Sequence, residues 1–566
     1  RGGRWFFSGG ADTLVYGLTG SPGFVAEVPP PPPFSCPEEC GDGVDNDGDG
    51  LIDELDPDCP LYTPSEPSCD DPLITYYMPS VWRNTIRGRP QALVISTEFA
   101  QANVSIETAD GFTFVQNVNV VVGTPAFINI PDNVVESNNI ANVERNKGLI
   151  IRSDFPIKAA YLVNNRNNKI ILSIKGTASL GKAFRVVTPT RISDGDGGER
   201  QFVSVMASED NTQVNFSDSP YALQGVTLPL SITLNRGETY MLKTQEGSAA
   251  ELQGPLGMLI TSDKPVTVNT GCQHMEARGT TSREGGMDQA IPFERLGTEY
   301  VCIRGGINAV QDYVIVMGVE NNTNIFLDGN PNPIAKIDAG TAFEVDITGN
   351  LGDPHYIRAN KPIYAYHITG LGGGGEFGMS ILPPINPYTC VGSKYSEFLR
   401  FNGIANHAYA IVPNAGLADL RLNGNIYTVN SVANPVPGLG DYSVVNWQTN
   451  DLVNGINVVQ SSEPLHLGLI VGDSGDGGTY GFFTEYQAKV KALDPDILLP
   501  TEYYLVDTVC AEEVLTHTIL AESCDPFHEI IGVENAMGTV DFQPGSMTFD
   551  YTAPSDSMLD IFKVRF

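Results

Sequence analysis

Positive charge is scarce in this chain. Its 566 residues carry 33 Lys and Arg against 67 Asp and Glu, a formal net charge of −34. That balance argues against nucleic acid or an anionic membrane as the main partner, because both select basic surfaces. Charge of either sign is thin, at 18% of residues against roughly 25% in ordinary globular proteins. No apolar run approaches the ~18 residues of a membrane helix, so the chain is not expected to span a membrane by helices. Initiator Met, signal peptide and lipobox are all missing, and the sequence stops at Phe566 inside a strand-like run. We therefore expect a piece of a longer polypeptide whose targeting signals lie elsewhere.

Catalytic motifs are equally sparse. Gly472-Asp473-Ser474-Gly475 is similar to a serine-protease nucleophile loop, but it continues Asp476-Gly477-Gly478 and has no histidine motif upstream. The glycines from Gly370 to Gly375 lack the strand–loop–helix setting of a phosphate loop. The seven histidines are scattered, and no Cys-x-x-Cys exists to suggest zinc. His367 and His466 fall within a repeated strand and read as core or surface residues. The expectation is a protein that is not an enzyme.

What the chain does contain is glycine, proline and short apolar runs: 59 Gly, 39 Pro and 41% hydrophobic residues. This composition reads as an all-β, secreted protein with real cores. Residues 1–28 read as an N-terminal arm or the end of a preceding domain. Residues 29–35 hold five consecutive prolines, a polyproline spacer of about 15 Å. Residues 36–69 hold four of the nine cysteines and an acidic loop. Residues 70–496 form a repeat region, and residues 497–566 an Ig-like unit whose last strand is missing.

The repeat is visible as two landmarks. One is GLIIRSDFPIKAAYLVN, which recurs as GMLITSDKPVTVNTG, HYIRANKPIYAYHITG and INVVQSSEPLHLGLIVG. Its prolines, Pro156, Pro265, Pro362 and Pro464, are 109, 97 and 102 residues apart. The other precedes it as ALVISTEFAQANVSIET, FVSVMASEDNTQVNFSD, YVIVMGVENNTNIFLDG and YAIVPNAGLADLRLNG. Proline cannot donate to a ladder and is tolerated at a strand start. After it Ile157, Ala159 and Tyr161 alternate, as do Leu465, Leu467 and Leu469, so these residues read as core. About six strands per ~100 residues suits four tandem β-sandwich-like repeats; the alternative is a β-propeller built from the same repeats.

The sharpest motif for chemistry is Asp45-Asn46-Asp47-Gly48-Asp49-Gly50-Leu51-Ile52-Asp53-Glu54-Leu55-Asp56. Calcium takes six to eight oxygens from a loop that curls around it. The twelve-residue pattern assigns Asp45, Asp47, Asp49, the Leu51 carbonyl, Asp53 and Asp56 as ligands, with Gly50 at the sharp turn. Between Cys36 and Cys59 there are ten acidic residues and no Lys or Arg, so without a cation they repel one another. Pro37, Pro57 and Pro60 exclude flanking helices. The expectation is a cysteine-stapled calcium loop similar to those of thrombospondin type 3 repeats. Cysteine usage suggests an oxidising compartment. The pairs expected are Cys40–Cys59, Cys36–Cys69, Cys272–Cys302 and Cys510–Cys524, with Cys390 left over.

The NTxV-type turn, the GETY hairpin, the SDKPVxV strand and the step from Met287 to Gly297 (MDQAIPFERLG) resemble the IgGFc-binding protein N-terminal domain over about residues 75–490. With the calcium loop, the proline spacer and the Ig-like tail, the chain is similar to large surface proteins of Bacteroidota, including gliding-type adhesins exported by the type IX system. The resemblance implies a non-enzymatic, extracellular binding or adhesion segment at a cell surface. Its partner would be a protein or glycan ligand. A structural role in a surface filament or secretion-associated complex, alongside other chains, is the second expectation. A glycan hydrolase using Asp194/Asp196 or Asp473/Asp476 is the third.

Overall fold

The computed structural model describes residues 74–82, 91–163, 169–190, 201–219, 222–245, 254–276, 283–307, 312–372, 376–385, 393–426, 433–472 and 479–482. It also describes the backbone of eight strands in the flanking segments. Every long element is a β-strand, and the only helices among the described residues are 3-10 turns of three or four residues. The chain divides into two compact units, one of Leu73–Ala488 and one of Arg1–Pro72 with Lys489–Phe566. In the latter, Thr13–Leu18 lies between Glu502–Asp507, to which it runs parallel, and Asp560–Arg565, to which it runs antiparallel. Arg4–Phe7 pairs with the other side of Glu502–Asp507. The two flanks of the chain therefore build one sheet.

The larger unit is four copies of one eight-strand plan. In the first repeat, one sheet runs Ile74–Met78, Leu149–Ser153, Gln101–Glu107, Val115–Val121. The other runs Ile170–Ile174, Lys158–Val163, Gln91–Ser96, Ala126–Asn129. Leu93 and Ile95 from one sheet share a core with Val104 and Ile106 from the other, as in a sandwich. The third repeat has the same pairings, with Pro354–Ala359 and Ile363–Gly372 as the central legs of its two sheets. In the second and fourth repeats these two legs are one long strand, Leu259–Glu276 or Gly455–Gly472, shared by both sheets.

The recurring landmarks now have causes. Pro156 and Pro362 stand between the two legs, and Pro265 and Pro464 stand at the same point of the continuous strands. There the chain leaves one sheet for the other, so a missing N–H breaks no ladder. The Pro156 carbonyl accepts from Thr97 Oγ1 at 3.1 Å and the Pro265 carbonyl from Ser208 Oγ at 2.7 Å. The residue two before the proline holds the neighbouring strand. Asp154 Oδ1 accepts from the Asn103 N–H at 2.7 Å, Asp263 Oδ1 from Gln213 N–H at 2.8 Å, and Asn360 Oδ1 from Asn324 N–H at 2.7 Å. In the turn before those strands, Asn211 and Asn322 take φ of 53° and 60°, a region asparagine tolerates.

The four sandwiches close into a ring. Their last strands, Ile170–Ile174, Arg283–Gln289, Glu376–Ile381 and Thr479–Phe482, pack against one another in turn around an axis. The sandwich expectation describes each unit, and the propeller alternative describes how the units are arranged. At the seam between the fourth and first repeats, Ser173 Oγ donates to the Phe482 carbonyl. A Cβ on Gly481 would come 2.6 Å from Ile171. Inner sheets are covered on both faces, so Gln201–Ala207 and Asp312–Gly318 are buried at every position. This explains the apolar run YVIVM and the run FVSVMA, broken only by Ser204.

One polar knot joins three repeats. Lys175 Nζ and Asp288 Oδ1 are 2.6 Å apart, each side chain 1% exposed. Asp288 Oδ2 also accepts from Ser380 Oγ at 3.0 Å and from the Ile381 N–H at 2.9 Å. Burial lowers the Lys175 pKa, against the pull of Asp288. Removing one member leaves a desolvated charge, typically a loss of about 3–5 kcal/mol. Asp288→Ala should therefore lose that much in urea unfolding, and Lys175→Met combined with Asp288→Leu distinctly less.

Candidate binding face

The inner strands start close together. A Cβ on Gly378 would lie 2.3 Å from the Tyr480 nitrogen, near the beginning of both strands. Gly286 faces Met379, and Asp288 faces Ser380 and Ile381, so neighbouring inner strands run in the same direction. The starts of these strands therefore lie at one end of the ring. In each repeat the strand Gln91–Ser96, or its counterpart Gln201–Ala207, Asp312–Gly318 or Ala405–Pro413, is antiparallel to the leg after the proline, so it starts at the same end. Sandwich folds carry recognition on such end loops over a rigid frame.

A buried polar residue anchors each repeat at that end. Gln91, Gln201, Asp312 and Asn406 all stand at or next to the start of the second strand. Tyr161 donates its hydroxyl to Gln91 Oε1 at 2.5 Å. Gln201 Nε2 donates to the Pro189 carbonyl, and Thr244 N–H donates to the Gln201 carbonyl at 3.1 Å. Asn406 Nδ2 donates to the carbonyls of Phe401 and Ile404, both at 2.8 Å. Asp312 takes Arg304 Nη1 at 2.6 Å, Thr369 Oγ1 at 2.7 Å and the Gly305 N–H. Burial raises the Asp312 pKa even beside Arg304. Gln201, Asp312 and Asn406 each tie the backbone of the segment that leads toward their strand, which limits the entropy such a segment loses on binding, whereas Gln91 is tied to Tyr161 of the neighbouring strand.

Asp45, Asp47, Asp49, Leu51, Asp53 and Asp56 lie outside the described residues, as do Asp194/Asp196, Asp473/Asp476 and all cysteines except two. Those two correct an expectation. Cys272 and Cys302 are both buried thiols rather than a disulfide. They belong to separate apolar clusters, and burial raises the Cys302 pKa well above the usual thiol range. Their separation of thirty positions reflected neighbouring repeats, not proximity. The four anchors were missed because each is a single polar residue at the edge of an apolar run.

No cluster of three or more His, Cys, Asp or Glu among the described residues is placed to hold a metal ion. No helix of the described residues is long and apolar enough to cross a membrane. His367 and His466 are buried.

Comparison with known proteins gives one informative match. Residues 172–471 match the family model described as IgGFc binding protein. No curated protein matches. Among solved structures, the open conformation of the pilus adhesin SpaC from Lactobacillus rhamnosus GG is 9% identical, with 75% of this chain and 57% of that chain covered and a TM-score of 0.10. Two B repeat units of the collagen binding protein of Staphylococcus aureus are 8% identical, covering 73% of this chain and 100% of that one, with a TM-score of 0.08. Likenesses this slight carry no argument about this fold.

The buried histidines yield a pH test. Burial holds both His367 and His466 at a pKa of about 3, against about 6.5 in an unfolded chain. Below pH 6.5 the unfolded state binds protons that the folded state refuses. Their contribution to stability is therefore intact above about pH 6.5 and is lost as pH falls toward 3. At pH 5 each should cost about 2 kcal/mol relative to pH 7.5. Urea unfolding of His466→Leu should show its share of that acid loss gone.

Proposed function

This chain belongs to the IgGFc binding protein family, and from that membership we propose that it is a non-catalytic, extracellular binding segment. We read it as part of a large bacterial surface adhesin. The observation that carries the reading is the ring itself: four frames of one plan start their inner strands at one end. Four recognition segments carried side by side would suit a broad partner such as a protein or a glycoprotein. The formal charge of −34 disfavours polyanions. A static role in a surface filament would need the same face to hold other chains of an assembly. A place in gliding motility is a narrower form of the adhesin reading.

The calcium loop belongs to this proposal. Asp45, Asp47, Asp49, Asp53 and Asp56 with the Leu51 carbonyl supply the oxygens of a single calcium site. Their mutual repulsion would order the segment only when the ion is present. Cys40–Cys59 and Cys36–Cys69 would staple it in an oxidising compartment, where a small acidic loop has little core of its own.

Two measurements test these readings. Surface plasmon resonance should show the full chain binding purified mucin glycoprotein or immunoglobulin Fc. Replacing residues 164–168, 277–282, 373–375 and 473–478 together with Gly-Ser segments should weaken that binding at least about tenfold, about 1.4 kcal/mol, with the melting temperature of the frame unchanged. Failure to bind either probe, or turnover of a substrate, would overturn the reading. Calorimetry of the full chain should show calcium heat that Asp45→Ala with Asp49→Ala abolishes; equal heat in the variant would remove the calcium assignment.

A further inference from the structure

Among the sheet edges of the four repeats, one stands apart. The outermost strand of the first sheet is seven residues long, Val115–Val121, and is paired on one side only, with Gln101–Glu107. Its counterparts are Leu230–Leu234, Ala335–Ile337 and Asn425–Ile426, of five, three and two residues. Proteins usually shorten, charge or cover such edges, because unpaired N–H and C=O groups recruit further strands. Within the strand none of those devices is present; just past its end the Gly123 N–H donates to Glu397 Oε1 of the fourth repeat at 2.7 Å. Residues 111–131 contain no Asp, Glu, Lys, Arg or His at all. Val115 is 55% exposed and Val121 44%.

We infer that this edge pairs with the same edge of a second copy, antiparallel about Val118, joining two four-stranded sheets into one of eight strands. Three observations select a second copy. First, the solvent side of the strand reads Val115, Asn117, Asn119, Val121, which is the same in both directions. Pairing about Val118 sets Val115 against Val121 and Asn117 against Asn119 of the other copy.

Second, the backbone phase agrees. The Val122 N–H donates to the Ala100 carbonyl and the Phe114 carbonyl accepts from the Thr108 N–H. Even-numbered residues thus face the neighbouring strand, and the N–H and C=O groups of 115, 117, 119 and 121 face the open edge. The proposed register places odd residues opposite odd residues, so these groups meet as hydrogen-bonded pairs. A side-chain ladder already points there: Asn103 Nδ2 donates to Asp154 Oδ2 at 2.7 Å, and Asn119 Nδ2 to Asn103 Oδ1 at 2.9 Å. Asn117 of the second copy would extend it through Asn119 Oδ1.

Third, charge favours this site. In a molecule of net charge −34, a strand without a single charged residue opposes its own copy less than an acidic edge would. The same register brings Phe112, 81% exposed, toward Val122 and Thr124 of the other copy. Asp110 holds that tip rigid, accepting from the N–H groups of Phe112 and Thr113 at 3.3 and 3.1 Å and from Thr108 Oγ1 at 2.6 Å. The symmetry closes the assembly at two copies.

Sedimentation equilibrium of the full chain tests this. The wild type should show a concentration-dependent dimer. Asn117→Lys with Asn119→Lys faces like charges across the joint and should weaken the dimer by at least about tenfold; Asn117→Glu with Asn119→Glu should do the same. Both positions are exposed, so melting should be unchanged. An equimolar mixture of the Lys and Glu variants should regain the dimer. A wild type that stays monomeric, a dimer that survives the Lys variant, or a mixture that does not recover would each overturn the proposal.

Discussion

Closing four sandwiches into a ring leaves each inner sheet without a face in water, and the rest of the architecture follows from that constraint. A sheet buried on both sides needs apolar residues at consecutive positions, so the alternation expected of a half-buried strand disappears from Gln201–Ala207 and Asp312–Gly318. Polar groups inside such a sheet must find partners within the protein. Asp288 does so by taking bonds from the first and third repeats together. The four anchors solve the same problem at the strand starts, Gln91, Gln201, Asp312 and Asn406 being buried and bonded there.

Much of this was legible in local sequence. The four prolines, the Asn turns and the alternating residues after each proline are short-range signals, and they located the repeats and most of their strands. The reason for the conserved spacing around each proline was only half legible. A strand start was expected there; the structure shows a corner where the chain changes sheets. The acidic or amide residue two positions earlier, which bonds the adjacent strand in three repeats, has no signature that marks its role.

Ring closure was hidden for a different reason. It depends on packing between residues such as Ile171 and Gly481, three hundred positions apart, and periodicity along the chain says nothing about which repeats touch. The expected Cys272–Cys302 disulfide failed on the same ground. Two apolar positions in successive repeats were close in number and were assigned to one another, yet each points into its own core. Gly370–Gly375 and Gly472–Gly475 read as loops, but nothing in the sequence showed that the strands after them start at one end of a frame.

The seam between the first and last repeats has a mechanical consequence. The larger unit begins at Leu73 in one of these repeats and ends at Ala488 in the other. Tension applied through its two ends is therefore delivered to the joint between neighbouring sandwiches, across Ile171, Ser173, Gly481 and Phe482. A linear string of sandwiches would extend under load one module at a time. A closed ring gives almost no extension until that joint parts, and then opens at once. A molecule built this way behaves under flow as a short stiff link with a single release point.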